Sequence, residues 1–252
     1  MTIQYCSDLH LEFSQNDMFL TKNPIEPKAD ILILAGDIVP FAQMDYYNDF
    51  FQYVSKNFKY VYWIPGNHEY YYYDLAKKCG SFCETIRKNV FLVNNISVQH
   101  ENVTFVFSTL WSKIDKVNAW QIERNMSDFH IIQYQKERFN HNHFNQLHEE
   151  SVKFIGKELS KKTTEHTVVA THHVPTLMNY PPEYKGSLLN SAFAVELHDF
   201  IENSNVDYWI YGHHHRNIPE FQIGKTKLIT NQLGYFQNNE HHLFDSGKTI
   251  NF

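Results

Sequence analysis

The chain has 252 residues, of which 42% are hydrophobic and 20% are charged, and its formal net charge is −6. This composition excludes a disordered chain, and the length suits one substantial core, so we predict a single domain over residues 1–252. The acidic balance argues against a groove that binds nucleic acid through many lysines and arginines. Apolar runs fall short of the roughly 18 residues that a membrane span needs, so no span is expected.

The cysteine content indicates a reducing compartment. Cys6, Cys79 and Cys83 are too few, and odd in number, for a disulfide framework, and they lack zinc-finger spacing. No secretory signal pattern is present at the start of the chain. We therefore expect a cytoplasmic protein with reduced thiols, and the oligomeric state stays open.

Short apolar runs that stop at glycine, proline or aspartate predict the strands. Ile31–Ala35 is a continuous apolar run of strand length, which is typical of a sheet covered on both faces. The same reasoning predicts strands at Thr2–Cys6, Ile31–Ala35, Tyr60–Ile64, 90–93, 96–99, 103–107, 166–170 and 207–211, and a β meander from residue 219.

Apolar residues spaced by three or four predict the helices. In residues 74–88 this spacing is carried by Leu75, Cys79, Phe82 and Ile86. Helices are also predicted at 44–57, 144–159 and 191–202, whereas 111–142 is weakly periodic and is interpreted as an excursion between core elements. Strands that alternate with helices predict an α/β layered fold.

Five short polar segments follow predicted strands. In chain order they are Asp8-Leu9-His10, Gly36-Asp37, Gly66-Asn67-His68-Glu69, Thr171-His172-His173 and Gly212-His213-His214-His215. In α/β sheets, binding sites gather at the carboxyl ends of strands. Residues two apart in an extended backbone point the same way, so Asp8 would turn inward together with His10. The same holds for His213 and His215.

Seven side chains of these segments, named below, offer two carboxylates, four imidazoles and one amide oxygen, with no thiolate. This donor set suits borderline or hard divalent cations such as Mn²⁺, Zn²⁺ or iron. Each segment alone has an ordinary explanation, for example a turn at Gly36-Asp37 or a satisfied, partly buried histidine at His172. Five in one chain favour a centre with two metal ions. Its expected donors are Asp8, His10, Asp37, Asn67, His172, His213 and His215.

The order of these motifs resembles the calcineurin-like metallophosphoesterase superfamily. The motifs stand here as SDLH, AGDI, PGNHE, THHVP and YGHHH, and they span residues 7–215. Further stretches, TLW at 109–111, MSDF at 126–129 and NSAFAVEL at 190–197, look like small bacterial members. The resemblance implies a four-layer α/β/β/α sandwich, in which two mixed β-sheets pack face to face with helices outside.

The resemblance also implies roles for the site residues. Asp8, His10, Asp37 and His215 would hold one ion, and Asp37, Asn67, His172 and His213 would hold the other, so that Asp37 bridges. His68 would assist the leaving group, and His173 would fix a ligand through a hydrogen bond. The implied activity is hydrolysis of a phosphoester by a hydroxide bound to the two metal ions.

Departures from the superfamily's patterns narrow the range of expected substrates. Its protein phosphatases carry arginines after Gly-Asp and Gly-Asn-His-Glu, whereas here Asp37 is followed by Ile-Val-Pro-Phe and Glu69 by four tyrosines. Its DNA-repair nucleases need capping regions and a basic surface, and a lipid-sugar pyrophosphatase branch typically has arginine in place of His68. We expect a small phosphodiester or phosphomonoester as the substrate, with a phosphodiesterase favoured over a protein phosphatase.

Two other interpretations stay open. Some superfamily members serve as protein-binding scaffolds with little or no catalysis, generally with eroded ligands, whereas all seven expected ligands are present here. A metal hydrolase that cleaves an amide or lactam bond would use related chemistry. Metal analysis and a substrate panel separate these interpretations from a phosphoesterase.

Overall fold

The strands of the computed structural model, which describes residues 1–161 and 164–252, agree with most of the predicted runs. They are β1 (Thr2–Cys6), β2 (Ile31–Ala35), β3 (Tyr60–Ile64), β4 (Phe82–Arg87), β5 (Val90–Asn94), β6 (Ile96–His100), β7 (Val103–Ser108), β8 (Gln133–Tyr134), β9 (Glu137–Arg138), β10 (His166–Thr171), β11 (Tyr208–Ile210), β12 (Phe221–Ile223), β13 (Thr226–Ile229) and β14 (Thr249–Asn251).

The helices are mostly short. They are α1 (Ser14–Lys22), α2 (Asn48–Asn57), α3 (Ala119–Asn125), α4 (Asp128–Ile131), α5 (His141–Leu159), α6 (Asn190–Phe193) and α7 (His198–Glu202). 3₁₀ helices lie at Phe41–Tyr47, His68–Tyr70, Leu75–Lys78, Pro182–Tyr184, Phe236–Asn238 and Glu240–Leu243. Within the described residues, no helix combines the length and the apolar character that crossing a bilayer requires.

Two six-stranded mixed sheets organise the chain. The first has the strand order β14-β1-β2-β3-β5-β4, and the second has the order β12-β13-β11-β10-β7-β6. In each sheet the four central strands are parallel, and the strand at either edge is antiparallel to its neighbour. Because parallel strands end at the same edge of a sheet, the loops that follow them converge.

Alternation along the strands produces the layers. In the first sheet, Ile33 faces the second sheet, whereas Leu34 packs with residues of α1 and α2. In the second sheet, Phe105 faces the first sheet, whereas Val106 packs with residues of α5 and α7. All four side chains are fully buried. The predicted four-layer α/β/β/α sandwich is therefore confirmed.

The helix predicted over residues 74–88 is wrong. Its first part is the 3₁₀ turn Leu75–Lys78, and its second part is β4, which pairs antiparallel with β5. Gly80 separates the two with a φ of +69°, a conformation that ends a helix. Strand pairing at the edge of the first sheet outweighs the helical spacing of the apolar residues.

Other differences concern connections. The predicted helix 191–202 is divided into α6 and α7, because Ala194 between them forms a β-bridge with Val174. The last strand, β14, pairs with β1 in the first sheet instead of continuing a meander with β12 and β13. The excursion 111–142 contains α3, α4 and the β8–β9 hairpin, and it builds a core of its own around Phe129.

Candidate metal centre

The carboxyl ends of the central strands bring the predicted donors together. In the first sheet, Asp8 and His10 follow β1, Asp37 follows β2 and Asn67 follows β3. In the second sheet, His172 follows β10, and the His213–His215 loop follows β11. Side chains from the two sheets meet there, and all seven are buried except His215, whose side chain is 12% exposed.

The backbone is left-handed at five of the seven donors. Asp8, His10, Asp37, His213 and His215 have φ angles between +47° and +80°. The extended geometry that the sequence predicted for the spacing of two is therefore wrong, although the paired side chains do converge. Such φ angles are costly for residues with a side chain and persist where the surroundings fix them. Here the amide of Asp8 donates to the carbonyl oxygen of Gly36 (2.9 Å), and the amide of His10 donates to the backbone carbonyl oxygen of Asp37 (2.9 Å).

Two clusters able to hold a metal ion share one carboxylate. In each cluster the possible ligand atoms lie within 4.8 Å of one another. The side-chain oxygen of Asn67 lies 3.2 Å from Nε2 of His172 and so faces the second cluster. The first cluster consists of Asp8, His10, Asp37 and His215, and the second of Asp37, His172 and His213.

Imidazole lone pairs converge in the first cluster. Nδ1 of His10 lies 3.1 Å from a carboxylate oxygen of Glu12, and Nδ1 of His215 lies 2.9 Å from one of Glu240. A carboxylate accepts hydrogen bonds, so each Nδ1 carries a proton and each Nε2 is the atom that could present a lone pair to a metal ion. The two Nε2 atoms are 3.0 Å apart. A proton on one of them satisfies such an approach, and so does a divalent cation bound between them.

Imidazole nitrogens also face one another in the second cluster. Nδ1 of His172 donates to the carbonyl oxygen of Ala35 (2.9 Å), which leaves Nε2 as an acceptor. That Nε2 faces Nδ1 of His213 at 3.1 Å. With the amide oxygen of Asn67 beside them, these atoms form a set of nitrogen and oxygen donors around the Asp37 carboxylate. Nitrogen and oxygen donors of this kind suit Zn²⁺, Mn²⁺ or iron.

The charges in the centre attract positive ions. Burial alone raises the pKa of Asp37, but the neighbouring His172 holds it well below its usual range. Burial lowers the pKa of His172, but Asp37 outweighs this and raises it to about 9. For His215, the hydrogen bond with Asp8 overcomes burial and raises the pKa to about 10. The same negative field favours divalent cations, which would displace the second proton from Nε2 of His172 and His215.

Glycine allows the loops to approach one another. A Cβ atom at Gly66 would overlap the carboxylate of Asp37 and the ring of His172. At Gly36, which has a φ of +91°, a Cβ atom would overlap the same histidine ring. Both positions therefore require glycine for the donors to reach each other.

Glu69 ties the ligand loops together. Its carboxylate accepts hydrogen bonds from the amides of Asp37 (2.9 Å), Ile38 (2.7 Å) and Gly66 (2.6 Å), and from the indole of Trp63 (3.0 Å). Burial raises the pKa of Glu69 to about 7, since the four donors offset the cost of burying the charge only in part. The sequence placed this residue inside a motif but gave it no role.

Glu12 is a site residue that sequence reasoning missed. One oxygen of its carboxylate lies 2.9 Å from Nδ1 of His68 and 3.1 Å from Nδ1 of His10. It thus holds the proton of His68 on Nδ1 and leaves Nε2, which is 3.3 Å from the Tyr235 hydroxyl, to face the cleft. The spacing of two from Asp8 to His10 continues to Glu12, and that signal could have found it.

Asp128 is a second missed residue, and it comes from the excursion. It accepts hydrogen bonds from the side-chain amide of Asn67 (3.1 Å) and from the hydroxyl of Tyr71 (2.8 Å). The first bond turns the amide oxygen of Asn67 toward His172. The ring of Tyr71 also stacks on His68, with ring centroids 4.0 Å apart.

His173 does not act as the sequence predicted. Neither ring nitrogen of this buried histidine has a hydrogen-bond partner within the described residues. Its ring packs on that of His213, with centroids 4.2 Å apart. Any influence of His173 on the cluster is therefore through packing. A separate group of possible ligands, His198, Asp199 and Glu202, lies far toward solvent on α7 and contains two exposed carboxylates.

A cleft of about 420 Å³ opens onto both clusters, a size in the range of small-molecule sites. It is bounded by the excursion, by the segment 180–193 and by the segment 235–240. His68 lines it beside Asp37 and Asn67, and four tyrosines and a phenylalanine form much of the remaining wall. They are Tyr71, Tyr180, Tyr184, Phe193 and Tyr235.

Comparison with known proteins agrees with this geometry. An uncharacterized protein, L509, of Acanthamoeba polyphaga mimivirus is 30% identical over 262 aligned residues, which cover 92% of this chain and 91% of that protein. The crystal structure of a phosphopantetheinyl hydrolase from Mycobacterium tuberculosis has the same fold, with a TM-score of 0.66, 17% identity and coverage of 96% of this chain and 92% of the other. A model of the family described as calcineurin-like phosphoesterase matches residues 1–217. The chain belongs to the calcineurin-like phosphoesterase family.

Proposed function

We propose that the chain hydrolyses a small phosphodiester with the help of two divalent metal ions. The observation that carries this proposal is the pair of clusters that share Asp37. A shared carboxylate holds two cations close enough to act on one phosphoryl group. In this proposal one ion takes Asp8, His10, Asp37 and His215 as ligands, and the other takes Asp37, Asn67, His172 and His213.

The donors fit such ions because imidazole lone pairs already face one another in both clusters. Bound divalent cations would polarise the phosphoryl oxygens and lower the pKa of water toward about 7. Glu12 and Glu240 would orient two of the ligands, and Asp128 would orient the amide of Asn67.

His68 is the proposed proton donor to the leaving group. Its Nδ1 is committed to Glu12, so its Nε2 is the atom that can reach a bound ester from the cleft. Burial lowers the pKa of His68, but Asp37 and Glu12 outweigh burial and raise it. Of these two carboxylates, Glu12 is not a metal ligand in this proposal and would still favour the protonated form that an acid catalyst needs.

A diester suits the cleft better than a monoester or a phosphoprotein. In the part of the chain that the structure describes, no lysine or arginine lines the cleft, whereas Asp128 and Glu240 do. A doubly charged monoester would therefore lack a cationic partner beyond the metal ions. Ile38 and Val39, which follow Asp37, are fully buried in the core and offer no phosphate contact.

Several further points belong to the same proposal. The catalytic unit is one domain over residues 1–252, which the pairing of β14 with β1 supports because it ties the two ends of the chain together. Mn²⁺, Zn²⁺ and iron are all compatible with the donors. A cytoplasmic location and a small-molecule substrate, as opposed to nucleic acid, stay predictions from the sequence.

The test is turnover of bis-p-nitrophenyl phosphate and p-nitrophenyl phosphate by purified protein, with and without added Mn²⁺. The proposal requires metal-dependent turnover with the diester preferred. On diphenyl phosphate, a diester with a poor leaving group, His68→Ala should keep the metal content but reduce the rate by roughly 10²–10⁴-fold. His198→Ala, at the exposed group of possible ligands on α7, is the matched control and should change neither the metal content nor the rate. Absence of metal-dependent turnover on both esters would contradict the proposal.

A further inference from the structure

The wall of the cleft beyond the clusters is rich in fixed aromatic rings. Tyr180 and Tyr184 stand 6.0 Å apart by ring centroids and are inclined at 57°, so that they form a corner. Phe193, next to them in the lining, stacks on His213 at 4.7 Å with an angle of 25°. Rings held in this way by their neighbours present preorganised faces to whatever occupies the cleft.

The charges along the same wall are negative or absent. Asp128 and Glu240 contribute carboxylates, and the other polar lining residues outside the clusters are asparagines, serines, tyrosines and two histidines beside the clusters, His68 and His214. Arg216 neighbours Tyr184 but forms an ion pair with Glu183 at 2.9 Å, and it is not among the lining residues. Among the described residues, an anionic substituent on the substrate would find no lysine or arginine along this wall. A cationic substituent would find the carboxylate of Asp128, and that of Glu240, which also accepts from Nδ1 of His215.

Asp128 gives an independent indication that the cleft favours a positively charged group. This residue is 1% exposed, and only one of its two carboxylate oxygens is used, by Asn67 and Tyr71. The other oxygen, Oδ2, has no hydrogen-bond partner within residues 1–161 and 164–252, although the residue lines the cleft. A buried carboxylate oxygen without a partner is costly, and a positively charged group nearby would reduce that cost.

From these observations we infer that the organic group of the substrate carries a positively charged nitrogen, and that the substrate is a phosphodiester of an amino alcohol. Aromatic faces attract ammonium groups through their quadrupoles, and quaternary ammonium ions are bound by sets of such rings. The phosphate of a diester carries one negative charge for the metal ions, and the ammonium group lies against the tyrosines and carboxylates. This inference rests on the proposed diesterase activity.

The decisive comparison uses two diesters that differ only in charge. One is p-nitrophenyl phosphorylcholine, and the other is p-nitrophenyl 3,3-dimethylbutyl phosphate, in which a carbon atom replaces the quaternary nitrogen. Leaving group and shape are the same. We expect kcat/KM to be higher for the choline ester by roughly two- to thirtyfold, the range that a cation–π contact of ordinary strength provides.

Variants locate the preference in the wall of the cleft. Tyr184→Leu removes a ring of the corner and should bring the ratio of the two kcat/KM values toward one, whereas Tyr184→Phe keeps the ring and should keep the ratio. Tyr46→Leu is the matched control, because Tyr46 is 84% exposed and lies outside the cleft lining. It should leave both values unchanged.

A second readout avoids catalysis. In chelator-treated protein, which cannot hydrolyse the esters, saturation-transfer NMR can compare the nine-proton signal of the trimethylammonium group with that of the tert-butyl group. The inference predicts stronger transfer to the trimethylammonium group, with loss of the difference in Tyr184→Leu. Equal or greater turnover and transfer for the neutral isostere would overturn the inference while leaving the diesterase intact. Absence of turnover on both esters, with no metal bound, would instead overturn the proposed function.

Discussion

Replacement of Glu12 by glutamine tests how the proton donor is held in place. The carboxylate of Glu12 accepts from Nδ1 of His68 at 2.9 Å and from Nδ1 of His10 at 3.1 Å. The side chain is only 10% exposed, so water does not readily substitute for it. Glu12→Gln keeps the size of the side chain but removes its charge, and its amide group can donate where only an acceptor is wanted.

The size of the effect follows from these two bonds. A hydrogen bond to a charged group contributes about 1.5–3 kcal/mol, and a neutral one contributes about 0.5–1.5 kcal/mol. The difference, on the order of 1–2 kcal/mol for His68, corresponds to a loss of roughly 5- to 30-fold in kcat/KM. Loss of the bond to His10 should in addition weaken metal binding by roughly 10- to 100-fold.

The assay separates the two effects. At saturating Mn²⁺, turnover of a diester with a poor leaving group, such as diphenyl phosphate, should fall more than turnover of bis-p-nitrophenyl phosphate, because a poor leaving group needs the proton of His68. Glu26→Gln is the control, since the side chain of Glu26 is exposed and pairs with Lys28 at the surface. An equal loss on both esters, or no loss on either, would refute the role assigned to Glu12.

Three further changes test the centre. Asp37→Ala should reduce the metal content from two ions per chain to at most one and abolish turnover, measured by elemental analysis and assay, and retention of both ions would contradict the shared-ligand account. Glu69→Gln should lower the free energy of unfolding by about 2–4 kcal/mol, because buried donors lose a charged acceptor, and an unchanged melting temperature would show that Glu69 is not a clamp. Chelation should lower the melting temperature, by the equivalent of about 2.7 kcal/mol if the metal had been present at 100 times its dissociation constant. Added Mn²⁺ should restore it.

The core strands could be predicted from the sequence because burial on both faces leaves a plain signal. Ile31–Ala35 is apolar throughout and forms β2 over those same residues. The segment 74–88 could not be predicted, because its helical spacing was outweighed by pairing of β4 with β5, which depends on a partner elsewhere in the chain. A local pattern does not report a long-range pairing.

The same distinction applies to the site. These residues could be singled out because each lies within a few residues of the end of a strand, and the structure brings six of the seven together in the two clusters. Asp128 could not be predicted from spacing, since it reaches Asn67 only after the excursion folds over the cleft. The left-handed backbone of His10 was likewise hidden, because φ there is fixed by hydrogen bonds between loops of different strands.

Diffraction at the manganese absorption edge, from crystals grown with Mn²⁺, measures the central claim most directly. The account predicts two anomalous peaks about 3.5–4 Å apart, one on either side of the Asp37 carboxylate. One ion should contact His10 and His215, and the other should contact His172 and His213. A single peak, or peaks only at exposed carboxylates such as those on α7, would contradict a centre of two metal ions.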